Sequence, residues 1–286
     1  MTSKKAGLRW TEKNYGAVSN GAIHGRSAAA GEACVSAVAH QDGQIVAQTF
    51  YSGTKESERP AVSQLLDAPC LLAQNVTLDA LHLIPTTLKA IHISGGSYVV
   101  GLKANQAILY RYCICRTLFS KADYEQVDEE IKQHGRSEQR TYRCYLLQAS
   151  SLAPRWHKSG LSTLICVESH GHRSGVDHKV VHYFLSNVVP TSGSEAAALF
   201  TAIRQHWCVE VMHHKRDVTL REDSLRTTKS AVSRLLGSLR TLTINLLERL
   251  KVKNMVAQLD NFADKFPTLI QFLTKQMVGT TQVLFY

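Results

Sequence analysis

Carboxylates and histidines are the side chains here that could carry chemistry, and few of them stand at a diagnostic spacing. Asp79 closes a short apolar run, Asn75–Leu78. An acid at the end of a central strand stands where an α/β sheet presents ligands, although the same position also suits a turn or a helix cap. Thirteen histidines raise a zinc reading, chiefly His170 and His172 with Asp177 and His178, or the pair His213-His214. Adjacent helical residues point about 100° apart, and no Cys/His quartet has the spacing of a structural zinc site. A solvated hairpin loop is therefore the expectation for His170–His178. Gly95-Gly96 lacks the spacing of a phosphate-binding loop, and no Ser/His/Asp arrangement stands out. Asn20-Gly21 suits a tight turn.

These residues need elements to position them. Alternating runs at Tyr15–Ser19, Ala33–Ala39 and Ile45–Tyr51, the last two split by the turn signal Asp42-Gly43, predict three antiparallel strands. A helix over Glu58–Leu66, a buried strand over Asn75–Leu78, a helix over Ile84–Ile93 and a strand over Tyr98–Leu102 follow, implying a parallel pair with a crossover. After a helix at Ala107–Phe119, strand-like runs at Arg140–Leu147, Leu161–Val167 and Val180–Leu185 make 104–192 a β-rich insertion. Helices return at Ser194–Met212 and from Arg226 to about Leu250. In the second, Val232, Leu235, Leu236, Leu239, Leu242, Leu246 and Leu250 form a stripe expected to face a core, with basic residues elsewhere on its surface. The resulting division is a core over 1–103, the insertion over 104–192, returning core helices over 193–255 and a tail over 256–286.

The 286 residues are 44% hydrophobic and carry a formal charge of +10, enough apolar content for a real core and a balance that favours a polyanionic partner. No run approaches the roughly 18 apolar residues of a membrane span, and the seven cysteines lack a C-x-x-C pair. The expectation is a soluble, cytoplasmic protein with reduced thiols.

Several segments, in order, resemble the ISAs-type insertion-sequence transposases, which include the H-repeat-associated proteins. Asn20-Gly-Ala-Ile-His-Gly-Arg-Ser27 lines up with a family motif that begins Asp-Gly-Lys. Lys55-Glu-Ser-Glu58, Val76-Thr-Leu-Asp79-Ala80 and Leu102-Lys-Ala-Asn-Gln106 are similar to its next three motifs. So are His134-Gly-Arg-Ser-Glu138-Gln-Arg140, His206-Trp-Cys-Val-Glu210 and Asp217-Val-Thr-Leu-Arg-Glu-Asp223 to the later ones.

The resemblance implies an α/β, ribonuclease H-like mixed sheet with flanking helices, and a DDE transposase that cuts and joins DNA. Such enzymes hold two Mg²⁺ (or Mn²⁺) ions on three carboxylates. Carried over, the set is Asn20, Asp79 and Glu210, so the first Asp is replaced by a neutral amide. Strand cleavage is expected to be weak or absent, and a catalytically inactive DNA-binding or interaction protein is the alternative. Asp42, on the neighbouring turn, could supply the missing charge, as could deamidation of Asn20. Lys103, Asn105, Arg136, Arg140, His206, Arg226, Lys229 and Arg234 are the expected contacts to double-stranded DNA. A homodimer is a further expected assembly, and a membrane partner is not expected. Trp207 and Trp156 could stack on bases, with Trp207 better assigned to the core. The spacing from Glu210 to Asp217 is one residue shorter than in the family, which threatens the register of that helix. The family also carries roughly 80–100 residues, about half a typical domain, before its first Asp, whereas 19 precede Asn20.

Overall fold

Strands β1 (Tyr15–Ala22), β2 (Ala33–Ala39) and β3 (Ile45–Tyr51) form an antiparallel series, as the alternation and the Asp42-Gly43 turn predict. The computed structural model describes residues 15–22, 33–52, 55–67, 71–128, 131–133, 136–173, 176–224, 227 and 229–281. For 15–22, 55–57, 131–133, 136, 173, 223 and 276–281 it describes the backbone alone. Gly43 adopts a φ of 68°, the left-handed conformation its turn requires, and Asp42 accepts a hydrogen bond from the Gln44 amide at 3.1 Å. The tight turn expected at Asn20-Gly21 is absent. Both residues are paired within β1, opposite Val35 and Cys34.

Helix α1 (Lys55–Asp67) leads to β4 (Asn75–Leu78), and α2 (Pro85–Ile93) crosses over to β5 (Ser97–Leu102). β4 runs parallel to both β1 and β5, giving the order β3-β2-β1-β4-β5. The crossover is tight where α2 returns to the sheet. A Cβ at Gly96 would stand 2.0 Å from the Leu72 carbonyl oxygen and 2.8 Å from that of Gln74, and backbone cannot yield as a side chain can. Gly96→Ala is expected to cost about 1–3 kcal/mol, the usual range for overpacking, read as a lowered urea midpoint. An unchanged midpoint would contradict the contact.

The β-rich stretch is continuous with this core. After α3 (Ala107–Phe119) come β6 (Tyr124–Val127), β7 (Ile131–Gln133), β8 (Arg136–Leu146), β9 (Thr163–Arg173) and β10 (Val176–Ser186). β10 pairs antiparallel with β5, so one ten-stranded mixed sheet continues through β10, β9, β8 and β6, with β7 also on β8. His170–His178 is therefore mainly strand, with His172 opposite Asp177 and Gly171 opposite His178, rather than a solvated loop. Residues 174–175 within it lie outside the described residues.

Side chains alternate between the two sheet faces. One face buries Leu65, Leu88, Ile91 and Leu109 of α1–α3 against Val76, Leu78, Tyr98 and Val100. The other carries α4 (Gly193–Gln205), whose Leu199, Phe200 and Ile203 pack on Val99, Tyr142 and Ile165. It continues with α5 (Cys208–His214) and α6 (Ser230–Arg249), where Val209, Met212 and Ile244 meet Val38 and Ile45. The molecule is thus mixed α/β, a mixed sheet with flanking helices.

Two expectations fail here. The leucine stripe of α6 does not face the core: Val232, Leu235, Leu239 and Leu242 are exposed, and Ser233, Gly237, Ile244 and Leu247 are buried instead. The side chain of Asn245 sets this rotation, accepting from the Ile45 amide at 2.8 Å and donating to the Ile45 carbonyl at 2.9 Å, which satisfies the outer edge of β3. The expected tail over 256–286 carries α7 (Met255–Asp264), capped by Asn254, and α8 (Phe266–Thr281), stacked on it through Phe262 and Phe272, while 282–286 lie outside the described residues. Among the described residues no helix is long and apolar enough to cross a membrane.

Candidate functional site

Asp79 follows the last residue of β4 at the C-terminal edge of the parallel strands, and beside it a cleft of about 610 Å³ opens. Its floor and one wall come from the sheet: Lys103 beyond β5, Glu138, Arg140 and Tyr142 of β8, Ser169 of β9, and His178 and His182 of β10. The opposing wall is the junction of α4 and α5, with Ile203, Arg204, His206, Trp207, Glu210 and His213. Asp79 and Glu210, far apart in the chain, therefore line one cavity.

Behind Asp79 lies a buried histidine network. Thr77 Oγ1 is hydrogen-bonded to His40 Nε2 at 3.1 Å and to His206 Nδ1 at 2.8 Å, and a hydroxyl has one proton to give, so at least one ring donates to it. Burial, with the neighbouring His206, pushes His40 down to about 4. His82 is pushed to about 4 by burial too, with Asp79 opposing the shift; Glu58 Oε1 lies 3.8 Å from its Nε2. Burial lowers His206 as well, again against the pull of Asp79, and lowers His213 to about 4 with help from Arg216. The rings behind and beside Asp79 are thus held neutral.

The cationic side chains of the cleft already have carboxylate partners. Asp79 Oδ1 accepts from the Ala80 amide at 2.6 Å, and Lys103 Nζ stands 3.6 Å away. Arg140 is 2.7 Å from Glu138, and Arg204 is 2.6 Å from Asp128. Among the described lining residues, three cationic side chains (Lys103, Arg140, Arg204) face three acids (Asp79, Glu138, Glu210).

A two-ion seat calls for several hard carboxylate oxygens around one point. Among the described residues, no three His, Cys, Asp or Glu side chains stand close enough to hold a metal ion. That holds for His170–His178 as well, where His170 is bound to Glu168 and His172 to Asp177. Asn20 is described by its backbone only: β1 and β4 run parallel with Val18 opposite Leu78, so Asn20 follows at the same sheet edge as Asp79. The described side chains do not make up a metal seat.

Asp42 stands at the opposite end of the sheet from Asp79, since its turn follows Ala39, which pairs with Gly16 at the start of β1. It cannot make good the missing charge. Of the remaining expected contacts, Lys103, Arg140 and His206 line the cleft, whereas exposed Asn105, Lys229 and Arg234 do not. Arg136 opens β8, with only its backbone described, and Arg226 lies outside the described residues.

Trp207 is the larger correction. The helix expected over Ser194–Met212 breaks at His206-Trp207, where the His206 amide still bonds to Ala202 and α5 starts afresh. The break leaves Trp207 54% exposed at the cleft rather than in the core, while Trp156 is 1% exposed and cannot stack on a ligand. The irregular turn of this helical segment lies beyond Glu210, as a π-helix at Lys215–Thr219. It carries Arg216 into a fully buried pair with Glu222. Sequence reading named His178 only as a zinc candidate and missed His182, although their i, i+4 spacing on β10 puts them on one face.

No protein-family model matches the chain. It is 23% identical over 221 residues to the protein named "Putative transposase YncI" from Escherichia coli O157:H7, an alignment covering 76% of this chain and 56% of that one. The chain thus spans about half the length of that curated relative. A solved sugar N-methyltransferase, KedS8 from a Streptoalloteichus species, aligns at 12% identity over 52% of this chain and 57% of its own, with a TM-score of 0.20, and carries no argument. The similarity that stands is to a transposase.

Proposed function

We propose that the sheet is ribonuclease H-like and that the protein is a relative of the ISAs-type DDE transposases that binds double-stranded DNA and cuts it weakly or not at all. One observation carries this reading: in a sheet ordered β3-β2-β1-β4-β5, Asp79 at the end of β4 and Glu210 of α5 line the same cleft. Asn20 belongs to the same edge, on the neighbouring strand. The similarity to a transposase is consistent with it.

With Asn20 in place of a carboxylate, the set has two formal charges rather than three. Mg²⁺ or Mn²⁺ would be held weakly against ion–ion repulsion, and no cleavage step is assigned. The net charge of +10 supplies affinity for the DNA backbone, with Lys229, just ahead of α6, and Arg234 within it as contacts outside the cleft. A catalytically inactive DNA-binding protein is the limiting case of this reading.

Nicking of supercoiled plasmid in Mg²⁺ and in Mn²⁺, native protein against Asn20→Asp, tests it. The Asp variant is expected to cut at least about 10-fold faster, on the scale of losses when a metal site is impaired. Equal rates would remove the defect assigned to Asn20. Duplex binding that is absent, or indifferent to salt, would remove the DNA reading altogether.

A further inference from the structure

The cleft holds a feature that phosphate binding leaves unused. Trp207 exposes half its surface there, on a two-residue joint between α4 and α5. The joint is held from both sides: the His206 ring bonds to Thr77 in the sheet, and the Trp207 carbonyl accepts from the Val211 amide. An indole exposed in this way gives up hydrophobic free energy, and across the cavity the sheet wall includes Val180, itself 41% exposed. Meanwhile Lys103, Arg140 and Arg204 already have carboxylate partners. Among the groups lining the cleft, the exposed indole face of Trp207 is the one suited to a flat ligand, with Val180 between His178 and His182 on the sheet wall.

We infer that this slot takes an unpaired nucleobase, stacked on Trp207, while the phosphate backbone runs over the basic surface outside it. The inference rests on the DNA reading above and adds what enters the cleft. The cavity, at about 610 Å³, has room for a nucleotide. A base offers a π-face to the indole whatever its sequence, and a base within a duplex cannot offer that face without leaving the stack.

The test compares two probes of equal length, a fully paired duplex and the same duplex with a short single-stranded gap, bound by native protein, Trp207→Ala and Trp207→Phe. The native protein is expected to prefer the gapped probe. Trp207→Ala should lose about 5- to 150-fold in affinity for it, the span of one lost base–aromatic stack, with duplex affinity unchanged within about twofold on the same scale. Trp207→Phe should recover most of the loss. Tryptophan emission should be quenched by the gapped probe more strongly in the native protein than in Trp207→Ala, the difference separating Trp207 from Trp10 and the buried Trp156. Equal losses on both probes, or none on the gapped one, overturn the stacking site while leaving duplex binding intact. A native protein that binds neither probe overturns the DNA reading and the inference together.

Discussion

Arg216→Met, with Glu222 left in place, is expected to lower the free energy of unfolding by about 3–5 kcal/mol, the range for a buried ion pair that loses one partner. Both side chains are essentially inaccessible to solvent. The guanidinium meets the carboxylate with two parallel bonds, Nε to Oε2 at 2.5 Å and Nη2 to Oε1 at 2.8 Å, and gives a third to Thr241 at 2.8 Å. Thr241 in turn donates to Gln48 of β3 at 2.6 Å. Removing the cation leaves a carboxylate with no route to water and breaks the chain that ties the π-helical turn to α6 and the sheet. Removing both charges is a different experiment. Arg216→Met with Glu222→Leu should recover most of the loss, because apolar replacement of a whole buried pair is often neutral. Urea unfolding with an unchanged m-value measures both. A single variant within about 1 kcal/mol of the native protein would mean that solvent reaches the pair.

Glu222 belongs to the Asp217–Asp223 segment that resembles a transposase motif, and its observed part is structural. A motif comparison ranks residues by recurrence and cannot separate an acid that faces a cleft from one that anchors a turn. Burial separates them here: Glu210 is exposed on the cavity and Glu222 is buried on an arginine.

What was legible in the sequence follows from which interactions are local. The Asp42-Gly43 turn, the run Asn75–Leu78 and the helix Ala107–Phe119 stand where spacing put them, because turn chemistry and periodicity act within a few residues. The rotation of α6 was not legible. Its leucines outnumber the residues on its buried face, but Ser233 and Gly237 permit a close approach, and Asn245 binds the strand edge, an interaction 200 residues away in sequence. The break at Trp207 was hidden for a related reason, since the apolar period runs through it. The tail was legible and missed: Asn254 is an N-cap ahead of Met255, Leu259 and Phe262 at helical spacing. Asp79 was singled out by its place after the run Asn75–Leu78 and Glu210 by resemblance alone; the neutral His40, His82 and His206 come from separate parts of the chain and leave no pattern in it.

Those histidines make the fold sensitive to acid, and the sign follows from where they sit. An unfolded chain protonates His40 and His82 near 6.5, whereas in the folded protein both are held at about 4, chiefly by burial. Between those values the unfolded state binds protons that the folded state refuses, so stability rises with pH. Their contribution is complete above about 6.5 and is lost progressively as pH falls toward 4. A depression of this size is worth about 3 kcal/mol per group, and the two together approach the whole stability of an ordinary domain, about 5–15 kcal/mol. His213 shifts in the same direction. Thermal unfolding between pH 7 and pH 4.5 should therefore show a steep fall in Tm below about 6.5. His82→Leu should flatten that fall, since an apolar group in its buried site has no proton to take up. A Tm that stays level from pH 7 to pH 5, or a His82→Leu variant with the native slope, would show that these rings are solvated and titrate normally.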